Sequence, residues 1–323
     1  MLTKIKYAMI QYEKGCPSRI QHFLKVHSFA KLIGELEGLD EHTQYILEAT
    51  ALVHDIGIKP AIEIYGSGAG PYQEKEGFKE ITLLGQNVDS YNDEGKNLSW
   101  LLRQINSIEG NFRIRFVTNY PTDITEELID TVIELDKVCE YFHIPMQSGD
   151  DYVLKKMNRR YDVKTYKIIC EHLRSRIPDV TITSDFIAGF PGETEEQFQN
   201  TLNAMTDLEL DYSNTAAYSP RERTVAAKWT DLYIPDNVKE ERLARLNEHN
   251  RKCCLTSNQK YIGREMEVLI ENFEIRKNGD KVISGRTRNN KIVHIKSDKN
   301  LIGEFVMAKI THARTWYLNG ELL

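Results

Sequence analysis

A chain of 323 residues suggests two or three domains, and its formal net charge of −6 argues neither for nor against a nucleic-acid partner. No apolar run approaches the roughly 18 residues that span a bilayer, and the N-terminus lacks the apolar core and cleavage site of a signal peptide, so the sequence predicts a cytoplasmic protein with no membrane partner. Five cysteines (Cys16, Cys139, Cys170, Cys253, Cys254) are odd in number and scattered but for one adjacent pair, which excludes a disulfide framework and a zinc-ligand spacing.

Residues 1–77 read as all-helical. Leu2 to Lys14 is one predicted helix, Pro17-Ser18-Arg19 opens a second that runs through Glu37, and Glu41 to His54 is a third with Ile46, Leu47, Ala51 and Leu52 at helical spacing. His22 lies one turn into the second helix, and His54-Asp55 puts an imidazole and a carboxylate at the end of the third, where a divalent metal could take both. After the glycine-rich stretch Gly66 to Gly77 the helical pattern stops.

From Phe78 the texture becomes α/β. Predicted strands are Lys79 to Leu84, Phe112 to Thr118, Tyr141 to Pro145, Thr181 to Ile187 and Tyr212 to Tyr218; predicted helices between them are Leu98 to Glu109, Thr125 to Leu135, Val163 to Arg176 and Glu195 to Leu208. The fourth strand runs through a Gly189-Phe-Pro-Gly192 turn into a helix that Thr194 caps, with Gln197 at its third position. Regular alternation calls for a parallel sheet or barrel, here of five strands and open. Polar residues recur just past the strand ends (Gln86 and Asn87, Asn119, Gln147 and Ser148, Glu193, Ser219 and Arg221), which points to a pocket at the C-terminal rim.

Val238 to Asn258 is a charged helix, best read as a linker packed along the barrel, with Cys253 and Cys254 about 100° apart on it and so poor joint ligands. The remaining residues, 262–323, give five short strands: Glu265 to Ile270, Val282 to Arg286, Ile292 to Ile295, Phe305 to His312 and Thr315 to Leu318. They suggest a small β-barrel of the oligonucleotide-binding kind. Charge is uneven along the chain. Residues 1–77 carry 8 basic and 10 acidic side chains, residues 78–259 carry 22 and 30, and residues 260–323 carry 12 and 8, so only the last part is basic. Arg286, Arg288, Lys291, His294 and Arg314 concentrate there as candidate RNA contacts.

Two resemblances follow from these residues. Arg19-x-x-His22-x-x-x-Val26, followed by apolar-His54-Asp55-x-Gly57, resembles the HD-domain phosphohydrolase family; by that resemblance His22, His54 and Asp55 are metal ligands, and the family's later aspartate has no counterpart. Seven motifs in order resemble the MiaB-type tRNA methylthiotransferases over about Phe78 to the C-terminus. They are Ile81-Thr-Leu-Leu-Gly-Gln-Asn-Val-Asp-Ser-Tyr91, His143-Ile-Pro-Met-Gln-Ser-Gly149, Met157-Asn-Arg-Arg-Tyr161, Asp185-Phe-Ile-Ala-Gly-Phe-Pro-Gly-Glu-Thr194, Tyr218-Ser-Pro-Arg221, Ser284-Gly-Arg-Thr-Arg-Asn-Asn-Lys291 and Thr311-His-Ala-Arg-Thr-Trp316. This resemblance implies a multidomain α/β protein: an all-α HD-like segment at 1–77, a partial radical-SAM (β/α) barrel at 78–235, a linker helix at 236–261 and a TRAM β-barrel, OB-like, at 262–323. It also implies S-adenosylmethionine and 4Fe-4S clusters as cofactors, with Asn87, Gln147, Ser148, Gly149, Asp185 and Gly189 around the S-adenosylmethionine pocket, and tRNA rather than DNA as partner.

One departure bears on activity. A radical-SAM cluster takes three cysteines spaced Cys-x-x-x-Cys-x-x-Cys, and that spacing does not occur in this sequence. A smaller departure is Arg223, where the family has glycine. Three readings therefore stay open: a methylthiotransferase by family that is inactive as this chain, a tRNA-binding remnant without catalysis, and a metal-dependent HD phosphohydrolase.

Overall fold

The structure, a computed structural model, describes residues 78–323 apart from Glu94 and Asn278, together with scattered residues among the first 44. Those scattered residues are helical save Asp40, and nothing further is built on them. Residues 76–323 form one compact unit.

Within that unit five strands run parallel in chain order among the described residues: β1 (Glu80–Leu83), β2 (Arg113–Phe116), β3 (Tyr141–His143), β4 (Thr181–Ala188) and β5 (Tyr212–Ala217). Between them lie α1 (Leu98–Asn106), α2 (Glu126–Glu134), α3 (Asp151–Lys156), α4 (Val163–Arg176) and α5 (Glu195–Asp207). The ladder is in two pieces, β1 with β2 and β3 with β4 and β5. They meet through an isolated Ile114–Val138 bridge and through the Asn119 amide, which donates to the His143 carbonyl at 2.8 Å. Beside that bridge the carbonyls of Asp136 and Val138, which point away from β2, accept hydrogen bonds from Arg288.

Each helix begins where the sequence supplies a cap. Asn97, Thr125, Asp150, Asp162 and Thr194 all accept from first-turn amides, and Thr194 with Gln197 forms the full reciprocal box. The short helix α3 is not anticipated by the sequence analysis, since six residues are too few to show a helical period. In β4 the period of two sends Ile182, Ser184 and Phe186 into the helix layer, all at most 1% exposed, and leaves Thr181, Thr183 and Asp185 on the inner face.

The linker helix α6 (Asp236–Gln259) lies along the β5 edge. Asn250 accepts from the Ser213 amide at 3.1 Å and donates to the Ser213 carbonyl at 2.7 Å, so a carboxamide satisfies strand backbone that would otherwise lack a neighbour.

The C-terminal module is a closed barrel of β6 (Glu265–Ile275), β7 (Lys281–Thr287), β8 (Ile292–Lys296), β9 (Phe305–Ala313) and β10 (Leu318–Leu322). Val268, Ile270, Ile283, Val293, Ile295, Ile310 and Leu318 fill it. Gly285 lets β7 cross β6: a Cβ there would stand 1.8 Å from the Leu269 carbonyl oxygen. The last strand corrects the expectation of Thr315 to Leu318. The Arg314 amide donates to the Tyr317 carbonyl, so Thr315 and Trp316 form a turn and the strand starts at Leu318.

Candidate functional site

The rim loops after β1 and β2 are tied to each other by their polar residues. Asn87 donates to Asp123 at 2.8 Å, and Asp89 accepts from the Tyr120 amide at 3.0 Å and from Asn119 at 3.3 Å. Burial pushes the Asp89 carboxyl up to about 6 in spite of those hydrogen bonds. The Oδ1 atoms of Asn87 and Asn119 are buried with no partner among the described residues.

On the inner face a polar chain crosses three strands. Tyr141 shares a hydrogen bond with Thr183 at 2.9 Å, Thr183 with His143 Nδ1 at 2.9 Å, and His143 Nε2 faces Asp185 at 3.2 Å. Asn214 donates to the same Asp185 oxygen at 2.9 Å. Burial alone would raise the Asp185 carboxyl, but the hydrogen bonds from His143 and Asn214 outweigh it and hold it below the usual carboxylate range. Asp185 is thus an ionised acceptor fixed in place, and His143 is the neighbour that the sequence analysis left out. Its position, inward-facing at the last residue of β3 and paired with Thr183, two residues before Asp185 on the next strand, was the available signal.

The other rim candidates sit differently. Gln147 has φ 77; its amide donates to the Asp185 carbonyl and its carbonyl accepts from the Ile187 amide, so its backbone closes the β3–β4 mouth. Ser148 and Gly149 are turned away from the inner face onto α5: Ser148 is fully buried beside Thr201, and the Gly149 amide donates to Thr201 Oγ1 at 3.0 Å. A Cβ on Gly149 would lie 2.6 Å from Thr201 Cα, so this glycine is required for helix packing. Gly189 has φ 75 and lies under Lys239 of α6. Its amide donates to Glu193, which pairs with Arg242 at 2.9 Å in a site where both are almost fully buried. Arg223 has φ 73, the left-handed conformation that a glycine supplies without strain.

The cofactors implied by the family fit this chain unequally. The rim offers polar groups and close backbone of the kind that meets an adenosine. Among the described residues an iron–sulfur cluster finds no ligand set, because Cys139, Cys170 and Cys254 are buried, Cys253 is half-buried, and no cluster of three metal-ligating side chains occurs there. Burial pushes the Cys170 and Cys254 thiols up to about 12, away from the thiolate a cluster binds. His22, His54 and Asp55 lie outside the described residues.

The C-terminal barrel is pinned to the floor of the α/β barrel by its β7–β8 turn. Arg113 and Arg115, buried on β2, donate to the carbonyls of Arg286 at 3.0 Å and Arg288 at 2.8 Å, while Glu80 balances both guanidinium groups. Of the RNA-contact candidates, Arg288 pairs with Glu140 at 2.8 Å and Lys291 with Asp211 at 2.9 Å, so both face the α/β barrel. Arg286, bonded to Glu271, and Arg314 reach solvent; His294 is half-buried on the Tyr317 ring, with centroids 4.5 Å apart.

Residues 69–205 match the model of the Radical SAM superfamily and residues 259–323 that of the TRAM domain. The tRNA-2-methylthio-N(6)-dimethylallyladenosine synthase of Thermoanaerobacter pseudethanolicus is 47% identical over 252 residues, covering 77% of this chain and 53% of the relative. Its namesake from Alkaliphilus oremlandii is 46% identical over 253 residues, covering 76% and 52%. Among solved structures, coproporphyrinogen III oxidase (HemN) from Escherichia coli aligns at a TM-score of 0.46 with 14% identity over 80% of this chain and 60% of that one. This chain spans about half the length of the curated relatives it matches. The methylthiotransferase resemblance therefore stands for the barrel and the C-terminal module, and neither domain match nor relative supports the HD-like reading of the first 77 residues.

Proposed function

We propose that this chain, which carries a Radical SAM domain and a TRAM domain, is the tRNA-holding and scaffold part of a cytoplasmic methylthiotransferase, and that on its own it binds tRNA without modifying it. The observation that carries the reading is the pinned floor: Arg113, Arg115 and Arg288 fix the C-terminal barrel against the α/β barrel, while Arg286 and Arg314 remain turned to solvent. A positive, correctly shaped surface is enough for backbone recognition, and that surface does not depend on cluster chemistry. The relatives' names, which specify a 2-methylthio group on a dimethylallyl-adenosine of tRNA, supply the substrate class.

The rim supports the second half of the reading. Asp185 and His143 on the inner face, with the Gln147 backbone beside Asp185, form a polar mouth suited to a nucleoside. The sulfur-inserting chemistry of this family requires cysteine thiolates that the described residues do not bring together. The test is a gel shift of purified chain with unmodified tRNA, followed by nucleoside mass spectrometry after incubation with S-adenosylmethionine and a reductant. Retarded tRNA with no methylthio nucleoside is the expected result. Formation of methylthio nucleoside by the chain alone, or failure to retard tRNA at low salt, overturns the proposal.

A further inference from the structure

A concave site opens below the rim on the same inner face as the polar chain, and Tyr141, Thr183 and Asn214 belong to both. It opens between the first residues of β3, β4 and β5 and the C-terminal barrel, with a cavity volume of 460 Å³, within the range of small-ligand sites. Asn214 in its lining donates to Asp185 at 2.9 Å, so the cleft is continuous with the polar chain that leads up to the rim.

Its lining is unusual for a domain junction. Trp316 and Tyr212 form one wall, their rings edge to face at 6.0 Å, and they remain 46% and 42% exposed although each is a large aromatic side chain. Tyr141 stands deeper, 7% exposed. Amides complete the floor: Asn214 donates one N–H to Asp185, and Asn290, held at φ 64, lines the same cavity. At the mouth the Arg286 guanidinium is 42% exposed and bonded to Glu271, while Lys291 inside is paired with Asp211.

We infer that this cleft takes one unpaired nucleotide, its base stacked on Trp316 and Tyr212, its polar edge on the Asn214 and Asn290 amides, and its phosphate at Arg286. Planar rings select a planar ligand, the amides select one with a hydrogen-bonding edge, and the N–H donors that Arg286 has left beyond its bond to Glu271 select one with a phosphate; a nucleotide satisfies all three. An aliphatic ligand would leave the amides unpaired, which costs affinity. The inference rests on the tRNA reading above and adds a place, below the polar mouth, for a base splayed out of the strand.

Fluorescence anisotropy of the full chain with a labelled single-stranded hexa-adenylate, in competition with adenosine monophosphate, tests it. Removing one stacking ring costs on the order of tenfold in affinity, so Trp316→Leu and Tyr212→Ala should each weaken the hexamer by about that factor, and Trp316→Phe and Tyr212→Phe should restore most of it. Competition by the mononucleotide at the hexamer's own affinity identifies free nucleotide as the source; weaker competition identifies RNA. Both results support the cleft. Unchanged hexamer affinity in the Leu and Ala variants, with melting curves like the parent's, overturns it, as does equal loss in the Phe and Leu variants. Retention of tRNA by Trp316→Leu together with its loss in Arg314→Ala would remove the cleft and leave the tRNA reading intact.

Discussion

Arg288, near the tip of the β7–β8 hairpin, closes on Glu140 at 2.8 Å and in the same stroke donates to the carbonyls of Asp136 and Val138, at 2.8 and 2.6 Å. One guanidinium thus fastens the C-terminal barrel to the segment leading into β3, through both a carboxylate and two backbone carbonyls. Arg288→Ala should lower stability by about 2 kcal/mol, since it abandons several charge-assisted bonds in a partly buried site. A fall in melting temperature with faster amide exchange around residues 286–291, and an unaltered salt slope for tRNA binding, is expected. A reduced slope at unchanged melting temperature would assign the side chain to RNA instead.

Asp89 makes stability depend on pH. Its folded carboxyl is pushed up to about 6, above the ordinary aspartate range, so its contribution is fully present below the unfolded value and is lost as pH rises through about 6. The melting temperature should therefore decline between pH 4 and pH 7 by an amount that Asp89→Asn removes. The substituted amide also gains a waiting acceptor, because Asn119 Oδ1 is buried without a partner among the described residues. Parallel pH profiles for parent and variant would show that Asp89 does not carry the effect.

Two glycines should tolerate no side chain. Gly149→Ala drives a methyl into the backbone of α5, 2.6 Å from Thr201 Cα and 2.7 Å from the Asn200 carbonyl, and Gly285→Ala places one 1.8 Å from the Leu269 carbonyl oxygen. Neither obstacle is a flexible side chain, so each substitution should cost about 3 kcal/mol or more, at the upper end of overpacking penalties. Urea midpoints measure it, and a change within error for Gly149→Ala would mean that α5 can move away from the sheet.

What the sequence made legible follows from what is periodic or locally encoded. The five parallel strands, the Thr194 to Gln197 box and helix Val163–Arg176 stand within a few residues of expectation, because apolar runs and caps are written locally. The direction in which a charged residue points is not. Arg113 and Arg115 alternate with Ile114 and Phe116 on a fully buried strand, and only the fold reveals that their partners are the carbonyls of residues 286–288, far along the chain. Arg288 and Lys291 read as an RNA-facing cluster for the same reason: their acidic partners Glu140 and Asp211 lie on another domain. Ser148 and Gly149 read as cofactor contacts because they follow a strand end, yet the backbone turn at Gln147 carries them to the helix side.

Anaerobic reconstitution with iron and sulfide should leave the purified chain with substoichiometric iron. Burial holds the Cys139, Cys170 and Cys254 thiols above their ordinary values, and no other metal-ligating side chains gather near them among the described residues. Stoichiometric iron and sulfide, with the absorption of a cluster, would contradict this.

Arg314 and Arg286 supply the clearest test of how tRNA is held. Both reach solvent on the basic C-terminal barrel, and the Arg314 backbone carbonyl is anchored by Asn258 at 2.8 Å, so the turn that presents its side chain is fixed while the side chain itself is exposed. A phosphate contact adds one released counterion, so Arg314→Ala should weaken all tRNAs alike and reduce the log–log salt slope by about one. Arg286→Ala should do the same less strongly, because its guanidinium is already bonded to Glu271, and Glu271→Gln should strengthen binding by freeing it. The sign of that last effect separates phosphate binding from a bracing role: if Arg286 only braces its hairpin, Glu271→Gln lowers the melting temperature and leaves the tRNA titration where it was.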